Sequence, residues 1–221
     1  MINLDKIYKK SPLFIQNIGV SSYALYLRSR RYNSYFHRMM SEYRSNEFLT
    51  KEAHERNQER SLRGVLLHAE DSIPYWKNLF FDLKLNKADL ANFTLKDLTL
   101  IPILNKSTIQ DNPDLFMPLG PIKNSVVYST SGSTGTPLEI LFDKEMESSV
   151  FALNEVRVRE WAGLRHGMSR AMIGGRYIQE ASNNKPPFHR YNSIDRQLYF
   201  SSNHISSKNA KYYADALEKH R

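Results

Sequence analysis

The chain has 221 residues, 41% of them hydrophobic and 24% charged, the proportions of a soluble globular protein with core enough for one ordinary domain or two small ones. Nine glycines and nine prolines exclude collagen-like and low-complexity chains, and zero cysteines exclude disulfide frameworks, thiolate zinc sites, iron–sulfur clusters and cysteine nucleophiles. The net charge of +8 is lopsided: residues 1–44 hold Lys6, Lys9, Lys10, Arg28, Arg30, Arg31, Arg38 and Arg44 against only Asp5 and Glu42, a basic surface suited to an anionic membrane or a nucleic acid.

The start of the chain resembles a signal peptide only superficially. Gln16, Asn17, Ser21 and Ser22 interrupt its apolar stretch, and no small-residue cleavage site follows. Its longest apolar run, residues 23–27, is far short of the roughly twenty needed to span a bilayer. The chain therefore reads as cytoplasmic. Phe14, Ile18, Leu25 and the aromatic stretch 23–36, with arginines interleaved, have near-helical spacing. Such a segment either lies on a membrane interface or packs its Tyr and Arg stems on the neighbouring domain.

A clearer helix follows Thr50, an N-cap, with Glu52 and Glu55 in its first turns and an apolar stripe of Leu62, Val65, Leu66 and Ala69. Pro74 sets its latest end, and His68 beside the stripe has no ligand partner at metal spacing. Residues 82–121 are punctuated by Pro102, Pro113, Pro118 and Pro121, with a short helix around 106–111. At Ser125 the pattern changes. Val126-Val127-Tyr128 and Leu138-Glu139-Ile140-Leu141-Phe142 are strand signals. A long helix starts after the cap Asp143 and runs to about Ala162 before Gly163. Residues 170–173 form a strand ended by Gly174-Gly175, and a helix over about 207–219 closes the chain. The fold class is α/β, divided at 121/122 into a helical N-terminal region, 1–121, and a mixed sheet with flanking helices, 122–221.

Between the first two strands runs Ser129-Thr130-Ser131-Gly132-Ser133-Thr134-Gly135-Thr136-Pro137, longer than an ordinary hairpin turn. Gly132 and Gly135 allow positive φ, so that backbone N–H groups converge. The hydroxyls of Thr130, Ser131, Ser133, Thr134 and Thr136 add donors for anionic oxygens, a concavity suited to a polyphosphate. A Walker-type loop requires Lys followed by Ser or Thr and opens into a helix; Thr136-Pro137 and a strand stand there instead. A flexible Ser/Gly linker does not usually sit flush between two strands.

Residues 128–137 resemble the signature loop of the adenylate-forming, acyl-CoA synthetase-like superfamily. More narrowly, the chain resembles the phenylacetate–CoA ligase family, in the branch of CapK-type proteins associated with capsular and other surface polysaccharides. Supporting stretches include Leu66-Leu67-His68-Ala69, Ile73-Pro74-Tyr75-Trp76, Ile101-Pro102-Ile103-Leu104-Asn105-Lys106, Trp161-Ala162-Gly163-Leu164-Arg165, Ala171-Met172-Ile173-Gly174-Gly175-Arg176 and Ser201-Ser202-Asn203-His204-Ile205. The resemblance implies part of an adenylation-domain sheet that takes ATP, Mg2+ and a small carboxylic acid, with coenzyme A as an acceptor. It implies that Thr130, Ser131, Gly132, Ser133, Thr134 and Gly135 cradle the β- and γ-phosphates, with Thr136 in the same loop and Pro137 fixing its exit. Many relatives carry Lys after this proline; here it is Leu138.

The resemblance places His204 near the acyl pocket, as a catalytic contact to the substrate carboxylate or a gate. The other reading is a surface histidine near a helix start. Arg176, at a strand end, either faces the nucleotide or makes a structural salt bridge. The adenine-binding segment, the magnesium-holding acid, the ribose aspartate and the catalytic lysine are expected beyond Arg221, so the chain reads as the N-terminal part of such a ligase. The alternative is a non-catalytic protein that docks on a membrane or partner through residues 1–44. No RNA- or DNA-binding module is recognisable, so nucleic acid is not an expected partner.

Overall fold

The computed structural model describes residues 7–8, 11–120, 123–130, 135, 137–175, 178–180 and 182–220. Its helices are α1 (Leu13–Arg31), α2 (Ser34–Ser45), α3 (Lys51–Ser72), α4 (Pro74–Asp82), α5 (Lys87–Ala91), α6 (Lys106–Asp111), α7 (Lys144–Asn154) and α8 (Ala210–Lys219). Its strands are β1 (Val126–Ser129), β2 (Glu139–Phe142), β3 (Arg170–Gly174), β4 (His189–Asn192) and β5 (Gln197–Ser201). The fold is α/β with a helical N-terminal region, as the sequence predicts. Compactness divides the chain into Met1–Met40 with Ser148–Arg221, and Ser41–Glu147; the change at 121/122 marks a switch of element type rather than this division.

The unit Ser41–Glu147 is built on local helix signals. Thr50 caps α3 by accepting from the Ala53 N–H at 3.3 Å. Asn86 and Asp89 close a reciprocal capping box at α5, and Pro74 opens α4 at its first turn, where its missing N–H costs nothing. Leu66 and Ala69 of α3 are buried with Phe80, Leu90 and Phe93, and Leu62 packs against them. Val65 is 64% exposed, so the buried stripe of α3 is narrower than its spacing predicts. β1 and β2 pair antiparallel, from Val126↔Phe142 to Ser129↔Glu139.

The other unit holds a three-stranded sheet in the order β3-β5-β4. β5 runs parallel to β3, from Arg170↔Gln197 to Gly174↔Ser201, and antiparallel to β4, from His189↔Phe200 to Asn192↔Gln197. Phe188, Leu198 and Phe200 are buried with Tyr213 and Ala216 of α8, and the Tyr213 hydroxyl donates to the Ser201 carbonyl at 2.7 Å. α1 meets β4 through polar side chains. Gln16 accepts from Arg190 Nε at 2.6 Å, Asn17 from the Tyr191 N–H at 3.1 Å and Ser21 from the Ser193 N–H at 3.1 Å. Phe14, Ile18 and Leu25 are left exposed. Among the described residues no helix is long and apolar enough to cross a membrane.

The helix after Asp143 differs from expectation. α7 ends at Asn154 and continues as a π-helical turn over Glu155–Arg159. The Glu160 N–H reaches back five residues to the Glu155 carbonyl at 2.9 Å, a wider turn of the kind that interrupts α-helices. Gly163, at φ +78°, then turns the chain.

Candidate functional site

The hairpin β1–β2 holds the hydroxyl- and glycine-rich loop by its base. Beyond the last ladder pair, the Thr130 N–H donates to the Leu138 carbonyl at 2.9 Å, and the Leu138 N–H donates to Thr130 Oγ1 at 2.9 Å. One side of the Thr130 hydroxyl is therefore committed to closing the loop mouth. Gly135 lies at φ +144°, and a Cβ added there would meet nothing within 4 Å. Glycine is favoured at this position by backbone conformation and not by crowding. Thr130, Gly135 and Pro137 are all exposed. Ser131, Gly132, Ser133, Thr134 and Thr136 lie outside the described residues.

Two supports behind the loop escaped sequence reasoning. The Tyr128 hydroxyl donates to Glu147 Oε1 at 2.9 Å, and the Tyr128 ring stands edge-on to Phe142 with centroids 4.9 Å apart. Glu147 is only 2% exposed, so the strand entering the loop is tied to the first turns of α7. Asp143 caps that helix, its Oδ1 accepting from the Met146 N–H at 2.7 Å. The nineteen-residue separation of Tyr128 and Glu147 hides their pairing from any local pattern.

His204 lies in the other compact unit, in the turn Ser202–His204 that follows β5. It is 4% exposed, which overturns the surface-histidine reading. Its ring stacks on Phe188 at 5.5 Å, and its carbonyl accepts from Asn209 Nδ2 at 2.9 Å. The carboxyl ends of the parallel strands β3 and β5 lie side by side, Gly174 opposite Ser201. Asn203 Nδ2 bridges them by donating to the Gly175 carbonyl at 3.0 Å. Ligands of open α/β sheets gather at such carboxyl ends. Arg176 lies outside the described residues.

A buried charge cluster also escaped the sequence. Glu155, 1% exposed, is hydrogen-bonded by Arg159. His166 Nδ1 lies 3.3 Å and Arg170 Nη1 3.5 Å from its Oε1. Burial alone would raise its pKa, but the hydrogen bonds from His166 and Arg159 and the charges of Arg159 and Arg170 outweigh that and hold it at about 2. Arg170 also donates to the Tyr32 hydroxyl at 3.3 Å, joining α1's end to the start of β3. Only the Glu155/Arg159 pair, four residues apart, is a local sequence signal. The arrangement is a structural charge cluster around one ionised carboxylate. Among the described residues no group of three or more His, Asp or Glu could hold a metal ion.

No protein-family model matches the chain. It is 26% identical over 218 residues to Protein CapK of Staphylococcus aureus, a match that covers 98% of this chain and 46% of CapK. The chain is thus similar to CapK along nearly its whole length and spans about half the length of that curated relative.

Proposed function

We propose that the chain is part of an ATP-dependent, acid-activating ligase that resembles phenylacetate–CoA ligase and serves capsular or surface-polysaccharide biosynthesis. The observation that carries this reading is the loop of residues 130–137: two glycines and five hydroxyl side chains on a hairpin whose mouth is pinned by Thr130 and Leu138. Similarity to CapK over the whole chain supports the polysaccharide context.

In this reading the loop's amides and hydroxyls hold the β- and γ-phosphates of ATP. The acid's carboxylate oxygen forms a bond to the α-phosphorus as the bond to the bridging oxygen breaks, and pyrophosphate leaves with the electron pair. A thiol such as that of coenzyme A then displaces AMP from the acyl carbon. The loop's part is electrostatic and positional. It neutralises charge that grows on the leaving pyrophosphate and keeps the reacting atoms in line. The exposed, open surroundings of Thr130 and Gly135 leave room for a phosphate chain. The groups that bind adenine, ribose and magnesium belong, in this proposal, to the part of a CapK-like protein outside the match.

Acid-dependent exchange of labelled pyrophosphate into ATP tests the proposal, with the remainder of CapK supplied in trans or fused to this chain. Exchange that falls by about 100-fold on Gly135→Val, the scale of losing an oriented donor, is the expected result. Absence of exchange with a panel of aromatic and sugar acids, in both formats, refutes it.

A further inference from the structure

The two edges of the β3-β5-β4 sheet are treated differently. At β4, α1 covers the edge, with Asn17 and Ser21 accepting the Tyr191 and Ser193 N–H groups. At β3 nothing among the described residues does this. Ala171, Met172 and Ile173 make no hydrogen bond beyond the ladder to β5.

The faces of β3 are open as well. Met172 is 48% and Ile173 54% exposed, and because successive side chains point to opposite faces, both faces of the strand carry exposed apolar surface. β5, its parallel neighbour, is buried at four of its five positions. Parallel strands occur with both faces covered, and open flat edges are normally blunted by charge, proline or a covering element. β3 from Ala171 to Gly174 has no charge and no proline. Its composition is that of an interior strand, while its exposure is that of an uncovered edge.

The geometry points to one occupant: a strand supplied by the part of a CapK-like polypeptide outside the matched region, added parallel or antiparallel to the free edge of β3. The match leaves more than half of CapK unaccounted for, enough for the missing strand and the layers that cover Met172 and Ile173. A second copy of this chain fits less well, since two identical β3 edges would leave the outer faces bare. This inference rests on the similarity to CapK and on the open edge, and not on acid activation.

The test mixes the full chain with the separately produced remainder of Staphylococcus aureus CapK, without ATP, and follows association by sedimentation. Hydrogen exchange reads the amides of Ala171, Met172 and Ile173. The expected result is a one-to-one complex in which those amides become protected while β4 amides do not change. Met172→Lys with Ile173→Lys weakens it by about 30-fold or more, the scale of two central contacts. Both positions are exposed, so the variant keeps the wild-type melting temperature, and Phe81→Lys at an exposed site of α4 leaves binding unchanged. Absence of a complex at 100-fold excess, equal binding by the double variant, or self-association through β3 in the chain alone each overturns the inference. A complex that forms but exchanges no pyrophosphate sinks the ligase reading and leaves this one standing.

Discussion

The two compact units reach stability by different chemistry. Ser41–Glu147 rests on an apolar cluster, Leu66, Ala69, Phe80, Leu90 and Phe93, reinforced by caps that are all local in sequence. Met1–Met40 with Ser148–Arg221 combines a stacked aromatic core, Phe188, Phe200 and Tyr213, with buried ionisable groups: Glu155, Arg190 and the partly buried His189. Hydrophobic burial is nearly blind to pH, whereas buried titratable groups link folding to proton binding. The apolar cluster of the first unit should therefore be insensitive to mild acid, whereas the buried histidine and carboxylate of the second make its stability pH-dependent.

The largest effects separate the two kinds of core. Phe80→Ala removes a fully buried ring and should cost about 3–5 kcal/mol, read by denaturant melts with hydrogen exchange localising the loss to Ser41–Glu147. Glu155→Leu strands Arg159 and Arg170 beside a buried apolar side chain and should cost about 3 kcal/mol, localised to the other unit. Equal weakening of both units by either variant would dissolve the distinction.

A smaller effect comes from pH. Burial first, then the cations of His220, Arg190 and Lys219, push His189 down to about 4. Its native site disfavours the protonated form, so stability is full above the unfolded pKa near 6.5 and falls as pH drops from there to about 4. The loss should approach 2–3 kcal/mol in the unit that contains β4, and His189→Phe should remove most of it. Glu155 acts lower, its contribution being complete above about 4.5 and fading as pH falls toward about 2. A melt of the unit containing β4 that does not shift between pH 7 and pH 4 would contradict this. The smallest effect is local: Thr50→Ala should cost about 1 kcal/mol through loss of the α3 cap, with no pH dependence.

The same contrast explains what the sequence made legible. α3, α6, the start of α7 and strands β1–β3 carry their own punctuation in Thr50, Asp143, the prolines and Gly174-Gly175, so one-dimensional reading finds them. β4 and β5 were not anticipated. β5 is buried on both faces and includes Gln197 and Ser201, which removes the alternation that marks a strand. Its end residue Ser201 is tolerated there because its carbonyl accepts from the Tyr213 hydroxyl, twelve residues away, and its hydroxyl from the Asn203 N–H; the first of these contacts lies outside any local window. The loop was legible as chemistry because its glycines and hydroxyls are contiguous. Its supports, Tyr128 with Glu147, and the Glu155 cluster are assembled from distant positions.

The phosphate-seating role of the loop can be examined directly by following the amide resonances of Gly132 and Gly135 in the labelled chain. ATP and pyrophosphate are each titrated with magnesium, and AMP serves as the comparison. The account predicts that ATP and pyrophosphate shift both glycines, that AMP leaves them in place, and that Gly135→Val abolishes the response. Glycine amides that ignore pyrophosphate, or respond to AMP just as strongly, would contradict it.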